Sequence, residues 1–189
     1  GEVAKGKLYY ELGVMNGQGI NQKDQNNAKD IIGRIEVRPA KGLNIVATGQ
    51  LGKGHAIAPS IYNPDILPGQ DYTRDRYSVG FDYKSRPFNV HSEYLEGKNG
   101  NTISRGAYIT GSFAIVPNVF DIVGSYDYFN YNTDLDYDMH KAVFGVQWWY
   151  FKKCRFQVQY VYRSAYTTKT EFVHGANNAI MCQMQVRFN

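Results

Sequence analysis

About ten stretches of this chain alternate apolar and polar residues one by one, and that pattern constrains the fold more than any other feature. The closing stretch AIMCQMQVRFN sets Ile180, Cys182, Met184, Val186 and Phe188 against Gln183, Gln185 and Arg187. RDRYSVGFDYK does the same with Tyr77, Val79, Phe81 and Tyr83 against Arg74, Arg76, Ser78, Asp82 and Lys84. In AVFGVQWWY the apolar set is Ala142, Phe144, Val146, Trp148 and Tyr150; in RFQVQYVYR it is Phe156, Val158, Tyr160 and Tyr162. Period two belongs to a β-strand, whose successive side chains point to opposite faces. No stretch shows the 3.6-residue period of an amphipathic helix. The expectation is all-β, one domain over 1–189, with each strand carrying one apolar and one polar face.

The connections add a second regularity. AKG at 40–42, SRP at 85–87, VPN at 116–118 and FKK at 151–153 are short and carry hairpin residues. Between them stand long polar segments: NGQGINQKDQNNAKD, KGHAIAPSIYNPDILPGQDYT, EGKNGNT, NYNTDLDYD and SAYTTKTEFVHGANN. Short turns at one end and long loops at the other are the layout of a transmembrane antiparallel up-and-down β-barrel, here with about ten strands and both termini on the tight-turn side.

Composition fits such a wall. Mean hydropathy is −0.47, and no apolar run approaches the roughly 18 residues of a spanning helix. Aromatic residues make up 15%, with 16 Tyr and 10 Phe. Tyr83, Phe88, Phe120, Tyr150, Phe156 and Phe188 fall at the tight-turn ends, and Tyr10, Tyr77, Tyr94, Tyr128 and Tyr162 toward the loop ends. Two aromatic belts flanking a paler band are a membrane-interface pattern. Alternation by itself also suits a soluble lipocalin-like ligand-binding barrel, with the apolar face turned inward.

The polar face is where chemistry would lie. Its cations are Arg34, Arg38, Arg74, Arg76, Lys84, Arg155, Arg163 and Arg187, together with Lys7 and Lys141. They outnumber the acids Glu11, Glu36, Asp82, Glu93, Asp121 and Asp127. A lumen lined this way mildly favours anions; the competing reading is that these charges pair across strands and hold the wall together. Net charge of +4 is not the profile of a nucleic-acid binder. The four histidines share no metal-ligand spacing, no nucleophile and base are paired, and NTDLDYD at 132–138 lacks the glycine of a calcium loop. No enzyme activity, cofactor or metal is expected. Cys154 and Cys182 are read as unpaired, at opposite ends of neighbouring strands and roughly 20 Å apart. No leader-like stretch opens the chain, so an exported protein is represented here in mature or partial form.

Several segments, in order, resemble the phosphate-selective porins of the porin O/P type. YYELGVMNGQGINQKDQNNAKDIIGRIEVRP resembles their strand, NGxG loop and following strand; HSEYLEGKN resembles their sEYxxG strand end. GSYDYFN resembles their RYDxxD strand, with Ser125 where Arg is common. FGVQWWYFKKCRFQVQYVY and QMQVRFN resemble their final hairpin and closing strand, although Asn189 follows the aromatic Phe188 that usually ends such chains. Members are about twice as long, with roughly 16 to 18 strands, so the chain is either the C-terminal part of such a barrel or a closed small barrel. The resemblance implies a passive outer-membrane channel of a Gram-negative bacterium for phosphate-like anions or general small solutes. Its partners would be outer-membrane lipid and small anions, with a homotrimer as the assembly left open. The alternative is a non-conducting barrel with a structural or binding role.

Overall fold

A computed structural model describes residues 1–18, 23–60, 62–134, 138–151, 153–166 and 178–187 of the protein. Ten long strands carry the alternating stretches: β2 (Leu8–Asn16), β3 (Lys29–Ala40), β4 (Leu43–Leu51), β6 (Asp71–Ser85), β7 (Phe88–Asn99), β8 (Thr102–Val116), β9 (Phe120–Asn130), β10 (Asp138–Phe151), β11 (Cys154–Tyr166) and β12 (Ala179–Gln185). Two short strands, β1 (Glu2–Val3) and β5 (Lys53–His55), pair with β2 and β6. Every pairing is antiparallel, and apart from β5 each strand lies beside its chain neighbours, so the chain runs up and down in one sheet. Among the described residues there is no helix.

The sheet is open. Among the described residues β1 and β12 end the path without pairing to each other, so of the two expected forms the closed small barrel is not formed. The wall nevertheless has barrel geometry. One row of register partners runs Val37, Ile45, Phe81, Ser92, Ile109, Tyr126, Ala142. Val37 lies three residues before the strand end at Ala40, whereas Ala142 lies nine residues before Phe151. The row therefore slips by six residues over six strand-to-strand steps. One residue of about 3.4 Å per strand spacing of about 4.8 Å tilts strands by roughly 35°, as in barrel walls.

The hairpins sit where proline, glycine and lysine end the alternation, at residues 41–42, 86–87 and 117–119 and between Phe151 and Cys154. Of the expected long loops, one is absent. EGKNGNT lies largely within β7 and β8, which are joined by the two-residue turn at 100–101, with Gly100 at φ +60°. Its polar residues hydrogen-bond as strand because they stand at the far end of the hairpin, beyond the apolar stretch. Most of SAYTTKTEFVHGANN, the centre of NTDLDYD and Phe188 lie outside the described residues. Cys182 registers with Val158 in the middle of β11, not with a strand end. Cys154 and Cys182 are thus nearer than expected, about 14 Å along the strand direction, and both are free thiols.

The interior of the sheet is inverted relative to a soluble protein. The convex face carries the large apolar side chains, and they are exposed: Leu12 is 78% and Ile180 74% accessible. Buried side chains are more often polar (Asp30, Glu36, Thr102, Asn130, Asn132 and Gln147) than apolar (Ala56, Cys154 and Val161) among the described residues. A soluble barrel would bury the first set and expose the second.

Candidate functional site

The candidate site is the concave face, and its side chains come from the polar positions of each strand. Near the tight turns, Glu36 on β3 is buried between two arginines of its own strand. Arg34 donates to its Oε2 at 2.7 Å, and Arg38 donates to its Oε1 through Nε at 2.9 Å and Nη2 at 2.7 Å. Lys84 on β6 lies close to the same mouth, and among the described residues no carboxylate pairs with it. On the next strand, β7, His91 bridges Asp82 and the hydroxyl of Tyr108, and Tyr108 also donates to Glu93 at 3.0 Å.

Further round the wall, β9, β10 and β11 form a second cluster. Asp121 accepts from the amide of Gln147 at 3.0 Å and from the indole Nε1–H of Trp149 at 2.8 Å. Arg155 donates to Gln147 Oε1 at 2.8 Å and lies over the Trp149 ring, 5.7 Å from its centroid. That contact is a cation–π arrangement, which fixes the guanidinium against the wall.

The upper tier lies toward the long loops. Asp30, 0% exposed, accepts from the side chain of Gln50 and from the Lys53 N–H at 3.2 Å, and Arg74 approaches at 3.5 Å. Arg76 donates to the carbonyls of Asp75 and Lys98 and to Asn99. Lys141 pairs with Asp127 at 2.7 Å, and Arg163 sits opposite Lys141 in the register of β10 and β11. Arg187 is exposed, two residues beyond the end of β12.

The connection from β5 to β6 folds over the concave side of this tier. Tyr62 stacks on Tyr131 with centroids 4.4 Å apart, its carbonyl accepts from Asn132, and Tyr131 meets Phe129 edge to face at 4.6 Å. Together with Arg76, Glu93 and Asn99 these rings border a cavity of about 540 Å³.

The cations expected on the polar face therefore fall in two tiers, not in one ladder, and most are engaged. Asp30 carries no signal in the sequence, because its partners Gln50, Lys53 and Arg74 arrive from other strands and no local spacing marks them. Glu96 and Arg105, paired at 3.0 Å with Tyr94 beside them, lie on the convex face instead, at the loop end.

The convex face has the dimensions of a lipid-facing band. Its apolar run reaches from the strand ends to Ile31 on β3, Tyr77 on β6, Tyr128 on β9, Ala142 on β10 and Tyr162 on β11, eight or nine residues in each case. At about 3.4 Å per residue and a tilt of roughly 35° that is roughly 24 Å, against about 25 Å for outer-membrane barrels. Tyr83, Phe88, Phe120, Trp148, Tyr150 and Phe156 lie on the tight-turn side of this band, all exposed. Phe88 contacts Phe113, and Phe120 stacks on Trp148. Tyr77, Tyr94, Tyr128 and Tyr162 lie on the loop side, whereas Tyr10 registers with Ile35, nearer the middle.

A solved structure shares this architecture: the outer-membrane expressed OmpT of Vibrio cholerae, with a TM-score of 0.54 and 15% sequence identity. The fold is that of an outer-membrane β-barrel wall. The similarity covers 85% of this chain and 52% of that one, so the chain spans about half the length of the structure it matches. No protein-family model matches the chain, and no curated protein is similar to it.

Proposed function

We propose that the chain forms part of the wall of a passive diffusion channel in the outer membrane of a Gram-negative bacterium, open to small solutes with a modest preference for anions. The observation that carries this reading is the inverted sheet: an apolar convex face about one hydrocarbon core tall, and a concave face of charged and amide side chains. Such a concave face suits water, and its cations exceed its acids. Lys84, without a carboxylate partner among the described residues, and the two arginines that share Glu36 leave net positive charge near the tight-turn mouth. Fixed charge in a low-dielectric wall raises the local concentration of counter-ions. The resemblance to phosphate-selective porins points the same way. The test is planar-bilayer recording of the full-length protein. Stepwise conductance in KCl, with a reversal potential on the anion side of zero that fades at about 1 M salt, is expected; a silent bilayer would remove the channel reading.

A second reading has one specific observation behind it. The Tyr62–Tyr131 stack and the Asn132–Tyr62 hydrogen bond hold Tyr62 on the concave side, as a non-conducting barrel with a plugged lumen would need. The same recordings separate the two.

A further inference from the structure

We propose that the lower concave face is a subsite for neutral polyhydroxylated solutes, sugars and polyols, and not for phosphate. This adds a solute class to the small solutes of the channel proposed above and rests on that reading. The subsite is a trough of about 450 Å³ reaching from β6 to β11, a volume within the range of small-molecule sites. Its floor is apolar, from Val123 and Val143, and Trp149 forms one end.

The charged groups at the trough are largely spoken for. Asp82 is held by His91, Asp121 by Gln147 and Trp149, and Arg155 by Gln147 and the Trp149 ring. Lys84 at the edge and the Nε–H of Arg155, which is buried without an acceptor among the described residues, are the exceptions. What remains along the trough is Gln157, Gln159, Thr110 and Ser125, none of which has a side-chain hydrogen bond to the protein among the described residues. Register explains the concentration of amides: Gln147, Gln157 and Gln183 are direct partners on three successive strands, and Gln159 packs across Gly145, where any side chain would collide with it.

The chemistry of these groups discriminates between ligands. Amides and hydroxyls each offer both donors and acceptors. Phosphate at neutral pH is mainly an acceptor, so it can use only the NH2 end of each amide and leaves the oxygens of Gln157 and Gln159 to find donors elsewhere. A sugar hydroxyl both donates and accepts and can satisfy both ends of an amide. The apolar floor suits the C–H face of a sugar ring, which has nothing to offer a phosphate.

The test uses the full-length protein refolded in detergent, with Trp148→Phe leaving Trp149 as the emitter in this stretch of chain. Maltose should change Trp149 emission saturably at millimolar concentration, and inorganic phosphate should neither reproduce nor compete with the change. Gln157→Ala with Gln159→Ala should weaken maltose binding by about tenfold or more, as expected for lost hydrogen bonds. A maltose response that does not saturate, or a saturable phosphate response abolished by the same pair, would overturn the proposal. The maltose and phosphate titrations without the glutamine substitutions decide between these outcomes even if the double variant misfolds. KCl conductance is read separately: saturable binding without conductance sinks the channel and keeps the subsite, and conductance without saturable binding does the reverse.

Discussion

The carboxylate of Asp30 occupies the space that a side chain at Gly52 would need. Gly17 leaves the same carboxylate room from the other side. Gly52→Ala should therefore destabilise the folded protein by about 2 kcal/mol or more, through overpacking against a group that cannot move without losing its partners. Asp30→Ala should cost about 3–5 kcal/mol, because it leaves Arg74 partly buried without its counter-charge. Urea titration in lipid vesicles measures both; equal stability of Gly52→Ala and the parent would show that the carboxylate is not held as described.

Facing gives the second prediction. Val158 points outward, with Val146 and Cys182 beside it in register, while Gln157 and Gln159 point inward. Val158→Arg should cost about 2–4 kcal/mol near the midplane, and Gln157→Arg or Gln159→Arg much less. Equal costs in vesicle folding would reverse the assignment of the two faces.

Trp148 and Trp149 are adjacent but project to opposite sides. Trp148 stacks with Phe120 on the convex face, and Trp149 bonds Asp121 on the concave one. In vesicles, brominated lipid should quench the emission that Trp148→Phe removes, and aqueous iodide the emission that Trp149→Phe removes. The opposite pairing of quencher and residue would put the membrane on the wrong side of the sheet.

Glu36 sets a fourth test. Its single charge is shared by Arg34 and Arg38. Glu36→Gln should release positive charge into the lumen and move the reversal potential further toward anions. Replacing Arg34, Arg38, Arg74 and Arg76 by Gln should move it toward cations, since Asp82 and Glu93 remain. Both shifts should shrink as salt rises, because screening shortens to about 3 Å at 1 M. Unchanged reversal potentials in both variants would make these residues braces of the wall alone.

Which face each strand residue occupies was legible in the sequence, because period two is a local property of extended backbone. Val158 against Gln157, and Trp148 against Trp149, follow from parity alone. What a side chain does on its face was not legible, because partners are chosen by register between strands distant in sequence. Arg74 meets Asp30, and Trp149 meets Asp121, across separations that no local pattern encodes. Arg155 has the sequence setting of a free lumen cation, yet it stands over an indole and donates to Gln147. The polar run after Tyr94 resembles a loop for a similar reason: polarity marks departure from the apolar band, not departure from the sheet.

That run has a consequence for what meets the cell's surroundings. From Phe88 to Asn99 the β7–β8 hairpin climbs roughly 30 Å, against an apolar band of roughly 24 Å. Its tip at Gly100 and Asn101 would stand clear of the lipid inside the sheet, with β7 paired to β6 as far as Asn99 and the Gly100 N–H bonded to the Thr73 carbonyl. A rigid rim with a two-residue turn is a good handle for an antibody or a phage, and a poor substrate for a protease, which needs several residues of pliable chain. In the outer-membrane channel proposed above, an epitope tag inserted between Gly100 and Asn101 would be displayed at the cell surface.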